Sequence, residues 1–396
     1  MTLTNILTMT MTSSRPRLML LAVGVVTVSA VAAAKPIALV RASSDVAESS
    51  LLDVHIVVLE PAEDFFPEVR RAESRYIPVA LKRVFQSAGF WGSVRVVPEA
   101  GISDLTISGA VLASHGGELR LEARAMDATG KVWLDKTYKR KVDASVYLDR
   151  ESSVDPFQDV YHQIANDVSK KYRKLKTQEI ERIRNVARLR FASDLAPDAF
   201  ADYVTLKKSV YVVTHLPSLD DPIMERVTRL RQRDAVFVDT VDAYYESLFE
   251  KMHEPYRGWR SQDYWQREAM RNGPPSATGS GGRNAPLGVL IAGGGGAGFG
   301  QGALCGTPDL FGGRVTRDDE TRWEEERKAT HLDVLRELGA SLAADVAPLV
   351  VDVDGRVAEL TGSVEAQYIE WRALLKEIFA AETGIVGAAA GAADDN

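Results

Sequence analysis

The strongest constraint on the fold comes from the order of the hydrophobic patterns between residues 51 and 176. Val54–Leu59 is a β-branched run between Asp53 and Pro61, which predicts a short buried strand. A helix is predicted next, over Glu73–Ala88, because apolar residues recur there at helical spacing and Gly89 follows as a stop. A strand therefore leads into a helix.

Alternating patterns predict four more strands and a closing helix after this first pair. Asp104–Ser114 and Glu118–Met126 form a hairpin pattern around the turn residues His115, Gly116 and Gly117. The remaining predicted elements are a strand at Val94–Val97, a strand at Val132–Val142 and an amphipathic helix at Asp155–Leu175. The predicted order is β-α-β-β-β-β-α.

Three short motifs in this segment resemble those of the amino-terminal domain of periplasmic TolB proteins. They are a hairpin motif at Asp104–Gly109, a turn-and-strand motif at Asp127–Trp133 and a helix motif at Ile164–Asp167. The segment is also similar to related envelope domains of the curli secretion channel and of penicillin-binding-protein activator lipoproteins. The resemblance covers residues 51–176 and implies a small sheet packed on helices and used for protein–protein contact in the envelope. Residues 61–71 depart from the pattern as an insertion, and no propeller repeats follow.

Beyond residue 176, the sequence predicts a helical region, a linker, a carboxy-terminal unit and a tail. The whole chain is therefore predicted to be an α+β protein. Residues 177–272 are helical in pattern, and Pro197, Pro217, Pro222 and Pro255 are expected to divide them into short helices. The expected boundaries are a signal peptide at 1–34, the TolB-like domain at 51–176, a helical region at 177–272, a glycine-rich linker at 273–316, a helix/hairpin/helix unit at 317–384 and a disordered tail at 385–396.

The carboxy-terminal unit resembles the second half of a BON domain. A strand, an Asp354-Gly355 turn, a second strand and a helix follow one another there; the matching residues are Val351, Gly355, Val357, Leu360, Gly362 and Val364. The resemblance implies attachment to phospholipid surfaces or to partner proteins.

The amino terminus has the three parts of an export signal. Arg15 and Arg17 precede an apolar run, Leu18–Val31, and the small residues Ala32–Ala34 follow it. Cleavage after Ala34 predicts a periplasmic protein, and an uncleaved leader would anchor the same body outside the inner membrane. Residues 35–50 are polar and are expected to be a flexible leader.

Composition excludes several kinds of function. A net charge of -7 argues against nucleic-acid binding, which needs a basic footprint. The basic stretch Lys170–Arg190 is interpreted as a solvated helix face. Cys305 is the single cysteine, and the six histidines are too scattered for helical metal ligands, so no metal or cofactor is expected. Gly293–Gly298 fits a dinucleotide-loop pattern, but no helix or acidic residue follows at the required place.

Six aromatic residues are candidates for contact with a partner: Phe90, Trp91, Tyr256, Trp259, Tyr264 and Trp265. Large rings serve well as interface anchors, although packing in the core is an alternative use. The leading hypothesis is an envelope scaffold or regulator that binds an envelope protein and is not an enzyme.

Two alternatives remain open, in which the chain associates with peptidoglycan or with a membrane surface. The first is a glycan hydrolase with paired carboxylates, for which the candidates are Asp220 with Asp221, Asp318 with Asp319, and Glu324–Glu326. The second is a module that binds lipid surfaces through the carboxy-terminal hairpin and the glycine-rich segment.

Overall fold

The computed structural model describes residues 36–62, 66–148, 154–218, 220–272, 331–342, 344, 346–353 and 356–384. The protein is α+β, as predicted, with one five-stranded mixed sheet and two separate two-stranded hairpins in these ranges. The predicted leader (1–34), glycine-rich linker (273–316) and tail (385–396) lie outside the described residues. The proposed domain boundaries therefore stay predictions.

The predicted β-α-β-β-β-β-α order is confirmed between residues 54 and 172, with one short helix added. The elements are β1 (Val54–Val57), α1 (Pro67–Ala88), β2 (Val94–Val97), β3 (Leu105–His115), β4 (Glu118–Asp127), β5 (Val132–Lys141), the short α2 (Ser145–Leu148) and α3 (Gln158–Tyr172). Helix α1 begins six residues before its predicted start, with Pro67 in the first turn, where a missing N–H costs nothing. It ends at Ala88, and Gly89 caps it with a left-handed φ of 72°.

The strands are arranged β2-β1-β3-β4-β5, and only β1 pairs in parallel with its neighbours. The remaining pairs, β3 with β4 and β4 with β5, are antiparallel. Alternate residues of β4, such as Leu119 and Leu121, are buried while Arg120 and Glu122 are exposed, so one face of this part of the sheet forms the core.

Residues 36–50 are not a flexible leader; that prediction is wrong. Residues 36–47 form a largely extended segment and Glu48–Ser50 form a short 3-10 helix; residues 36–50 are here called the strap, and they lie along α3. Asn166 accepts a hydrogen bond from Val40 N–H at 2.8 Å and donates to the Ala38 carbonyl at 2.9 Å, and Asp159 accepts from Ile37 N–H at 2.9 Å. The polar composition indicated disorder, but side chains more than 120 residues away satisfy the backbone of the strap.

The middle region consists of α4 (Thr177–Leu195), α5 (Pro197–Phe200), the hairpin strands β6 (Val204–Lys207) and β7 (Val210–Val213), and a 51-residue helix, α6 (Pro222–Asn272). The expectation that Pro255 ends a helix is wrong. A proline inside a helix removes one hydrogen bond and crowds the carbonyl four residues earlier. Met252 and Trp259 are buried on either side of Pro255, and their packing holds α6 continuous.

Helix α6 runs beside the open edge of the sheet at β2. The Asp242 carboxylate accepts a hydrogen bond from the backbone N–H of Val96 at 2.7 Å. Lys82 on α1 contacts Asp242 at 2.6 Å and Glu246 at 3.0 Å, which ties α6 to both α1 and the sheet. The long helix therefore covers a strand edge that would otherwise have unpaired backbone groups.

The carboxy-terminal elements are a helical segment at 331–341 (α7), the strands β8 (Leu349–Val353) and β9 (Arg356–Leu360), and α8 (Val364–Thr383). The predicted hairpin and helix are confirmed, and the Asp354-Gly355 turn lies outside the described residues. Trp371 of α8 donates to Asp234 of α6 at 3.0 Å, and Arg372 contacts Asp194 of α4 at 2.7 Å. Side chains of the sheet, α4, α6 and α8 belong to one hydrophobic core.

Among the helices that the structure describes, none is both long and apolar enough to cross a bilayer.

Candidate functional site

The Asp127–Trp133 motif forms a self-contained turn. One oxygen of Asp127 accepts from Thr129 N–H at 2.9 Å, and the other accepts from the indole N–H of Trp133 at 2.7 Å. Gly130 has a φ of 87°, and a Cβ there would lie 2.8 Å from the Ser209 carbonyl in the β6–β7 turn. The motif therefore shapes the backbone and receives the second hairpin.

The Ile164–Asp167 motif joins α3 to the strap and to the sheet. Ile164 and Ala165 are buried, and Asn166 binds the strap. Asp167 accepts from the Tyr138 hydroxyl at 2.8 Å and from Lys136 at 3.0 Å. The motif residues are thus used for packing and for holding elements together.

A buried ionic cluster lies where α1, β3 and α6 meet. Glu73 is fully buried and accepts hydrogen bonds from Arg70 at 2.6 Å, from the Ser114 hydroxyl and from the Tyr256 hydroxyl. The Arg260 guanidinium lies 3.6 Å from Glu73 and 3.3 Å from Asp155. We call Glu73 and the five groups around it the Glu73 cluster: Arg70, Ser114, Asp155, Tyr256 and Arg260. Two arginines face two carboxylates, so the cluster is neutral.

The environment of this cluster shifts the pKa values of Tyr256 and Arg260. Burial raises the pKa of Tyr256 well above its ordinary value, so its hydroxyl stays a donor. Burial alone would lower the pKa of Arg260, but Tyr256, Asp155 and Glu73 raise it. Its guanidinium also lies over the rings of Tyr256 and Phe157, at 4.1 Å and 4.7 Å. This arrangement holds the charges of Glu73 and Arg260 in place.

A small cavity opens beside the cluster. Its lining comes from α1, α6 and the segment before α3: Tyr76, Val154, Asp155, Pro156, His253, Tyr256, Arg257 and Arg260. The Tyr76 hydroxyl lies 3.0 Å from His253 Nδ1, which ties the two walls together. The buried hydroxyl of Tyr161 and Nε of Arg260 have no hydrogen-bond partner within the described ranges. Ordered water is the usual partner for such groups.

The structure places the six predicted contact residues in two kinds of environment. Phe90, Trp91, Tyr256 and Trp259 are buried, and the rings of Phe90 and Trp91 pack on Tyr172. Tyr264 and Trp265 are half-buried on the last third of α6. A partner would reach the first four only after local opening, so their use in contact stays a prediction. Tyr264 and Trp265 have surface available now.

Tyr264 and Trp265 belong to a larger feature, the aromatic ridge, with Leu148 of α2, which is exposed, and Tyr147 of α2, which is buried. The Tyr264 ring lies 5.2 Å from that of Tyr147 and 5.3 Å from that of Trp265. Leu148 is 59% exposed. Sequence reasoning missed the α2 half because a four-residue helix leaves no periodicity; the only signal was Asp143, which accepts from Ser145 N–H at the start of α2.

The ridge is held to the β3–β4 turn by short contacts. The Tyr147 hydroxyl donates to the Gly116 carbonyl at 2.6 Å, and Gly116 N–H donates to Asp263 at 2.8 Å. Thus the same turn residue anchors α2 on one side and α6 on the other.

Other residues singled out from the sequence have structural positions. Asp221 caps α6 by accepting from Ile223 N–H at 2.9 Å, and His162 lies 2.6 Å from the Ile37 carbonyl of the strap. The acidic residues at 318–319 and 324–326, the glycines at 293–298 and Cys305 lie outside the described residues. In the part of the chain that is described, no three His, Cys, Asp or Glu side chains are grouped to hold a metal ion.

No protein-family model matches the chain, and no curated protein matches it. Solved structures that match include a PelC dodecamer from Paraburkholderia phytofirmans. The two chains are 14% identical, and the match covers 32% of this chain and 94% of that chain, with a TM-score of 0.21.

Proposed function

We propose that this chain is an exported envelope protein that works by binding an envelope protein partner, as a scaffold or regulator, and not by catalysis. The signal-like leader supports periplasmic placement, and the resemblance of residues 51–176 to TolB-like domains supports a role in protein contact. The aromatic ridge is the observation that carries the proposal.

The ridge has the properties of an interface anchor. Aromatic side chains contribute most to binding when they are large, partly exposed and already held in their bound position. The hydrogen bonds from Tyr147 to Gly116 and from Gly116 to Asp263 fix the two helices that carry the rings. A partner would therefore bind this surface with little ordering of side chains.

The Glu73 cluster supports the same proposal in a different way. Its carboxylate at the centre is fully buried and is engaged by three donors, so it is not available to a substrate. The cluster holds α6 against α1 and β3, one turn before the ridge. We assign it to positioning the ridge.

Site-specific crosslinking in the native envelope tests the proposal. A photoreactive residue in place of Trp265 is expected to capture one defined envelope protein, whereas the same residue in place of Val236, which is 67% exposed on the same helix, is not. With the captured partner purified, Trp265→Ala should weaken binding by at least about tenfold, as expected for an anchor residue.

The matched control is Val236→Ala, which should bind the partner as tightly as the native chain does. Equal binding by Trp265→Ala, or digestion of purified peptidoglycan by the protein, would contradict the proposal.

A further inference from the structure

A dense group of cations lies where α3 ends and α4 begins. Five of the seven residues from 170 to 176 are basic: Lys170, Lys171, Arg173, Lys174 and Lys176. All but Lys171, which is half-buried, are exposed. Lys170 and Lys171 suit the carboxy-terminal end of α3, where the helix dipole favours positive charge, but the other three lie beyond its last turn.

The start of β5 adds to the same surface. Lys136 of β5 contacts Asp167 of α3 at 3.0 Å, so the strand and the helix lie side by side. The hydrogen bond from Lys176 N–H lowers the pKa of the Glu179 carboxyl, and Lys131, Lys176 and Lys171 lower it further. Lys131, which is exposed just before β5, thus acts on the same carboxyl as Lys171 and Lys176 do. We call Lys131 and the five cations of residues 170–176 the basic patch.

The cations of this patch form no ion pair with a described carboxylate, in contrast to those at the other end of β5. There, Lys139 contacts Glu118 at 3.0 Å and Arg140 contacts Asp159 at 2.7 Å. In the basic patch, no carboxylate of the described residues lies within ion-pair distance of the six cations. The two flanking acids, Asp167 and Glu179, are engaged by Lys136 and by the backbone of Lys176.

An anionic surface would relieve the mutual repulsion of these cations. The chain as a whole has a net charge of -7, so the patch is a local reversal of sign. Clusters of four to eight basic residues are typical of surfaces that bind anionic lipid headgroups, with each cation strengthening the binding. We propose that the basic patch binds an anionic phospholipid surface.

The surroundings of the cations favour a lipid surface over an acidic polysaccharide or protein. Most of the cations are exposed at the connection between α3 and α4. Apolar side chains also adjoin Lys131: Val132 is 40% exposed, and Trp133 is half-buried with its indole N–H held by Asp127 at 2.7 Å. Tryptophan and exposed apolar groups beside cations suit the boundary between headgroups and acyl chains.

Vesicle co-sedimentation tests this proposal, with protein recovered from cells that express the full chain. Binding to phosphatidylglycerol/phosphatidylcholine vesicles is expected to exceed binding to phosphatidylcholine vesicles by at least about tenfold and to fall steeply as salt is raised. The combined change Lys171→Glu, Lys174→Glu and Lys176→Glu should remove this preference. The neutral vesicles measure any binding by the leader, which every variant shares.

The matched control changes net charge equally at scattered exposed positions: Arg120→Glu, Lys207→Glu and Lys251→Glu. It should keep most of the preference for anionic vesicles. The proposal is overturned if both triple variants lose binding equally, if the patch variant binds like the native chain, or if the native chain does not distinguish the two vesicles. Salt-insensitive binding of the native chain would overturn it without any variant. Because the aromatic ridge is unchanged in the patch variant, partner crosslinking at residue 265 should persist.

Discussion

Gly116 lies directly beneath the backbone of Arg260, so that a Cβ at position 116 would come within 2.1 Å of the Arg260 carbonyl oxygen. The same Cβ would lie 2.4 Å from the backbone nitrogen of Tyr264. The absent side chain at Gly116 is what allows α6 to approach the β3–β4 turn, and this approach places the aromatic ridge beside α2.

Gly116→Ala should destabilise the protein by about 1 to 3 kcal/mol, because α6 must move away from the turn to admit the methyl group. The measurement is urea unfolding followed by circular dichroism. Gly117→Ala is the matched control: its nearest neighbour would be the Tyr264 ring at 3.6 Å, so the change should be within about 0.5 kcal/mol. Equal effects of the two substitutions would show that α6 does not lie as described.

Glu73→Ala should lower the free energy of unfolding by about 3 to 5 kcal/mol, because it leaves Arg70 and Arg260 buried with less negative charge. Glu122→Ala, at an exposed position on β4, should change it by less than about 0.5 kcal/mol. Both values come from urea unfolding at neutral pH. Adding Arg260→Met to Glu73→Ala should recover part of the loss, and a fully additive double variant would argue against the interaction.

Stability should decrease as the pH falls from 6.5 to 4, because of His55. Burial, with Arg95 nearby, lowers the pKa of His55 to about 4 in the folded protein, against 6.5 for the exposed side chain. The unfolded chain therefore binds more protons between these pH values, so acidification favours unfolding, by at most about 3 kcal/mol at pH 4.

The measurement for His55 is the urea midpoint as a function of pH in the native chain and in His55→Gln. The variant should show a flatter profile between pH 6.5 and 4. His115, whose pKa burial also lowers, contributes in the same direction to both proteins and cancels in the difference. Parallel profiles would mean that His55 titrates normally.

Asn166→Ala should release the strap from α3, because it removes the hydrogen bonds to Val40 N–H and to the Ala38 carbonyl. Amide hydrogen exchange at Val40 should become faster, with a loss of about 1 to 2 kcal/mol in stability. Gln163→Ala, three residues earlier on α3, provides the control and should leave exchange at Val40 unchanged. Protection at Val40 that survives in Asn166→Ala would show that the strap is held by other contacts.

The sequence predicted those parts of the fold that depend on local patterns. The period-two alternation of β3 and β4 and the Gly116-Gly117 turn identified the hairpin, and β-branched runs identified β1 and β2. The strap was missed because its partners, such as Asn166, are distant in sequence. The β6–β7 hairpin was missed because Lys208 and Ser209, with φ of 49° and 64°, occupy turn positions where glycine or asparagine is the usual signal.

The candidate site was predictable only in part, for a related reason. Aromatic residues on α6 drew attention as a group, yet exposure separates Tyr256 and Trp259 from Tyr264 and Trp265. That division depends on where α6 leaves the sheet, which no local pattern encodes. Glu73 was missed as well, because a single glutamate in an amphipathic helix is normally exposed.

The contact between Asp242 and Val96 has a practical consequence for dissecting this protein. A recombinant fragment that ended near residue 176 would keep all five strands of the main sheet but lose the helix that covers β2. Its bare strand would offer backbone donors and acceptors to another copy, so the fragment would tend to self-associate or precipitate. Expression trials that treat residues 51–176 as an independent module should therefore retain α6.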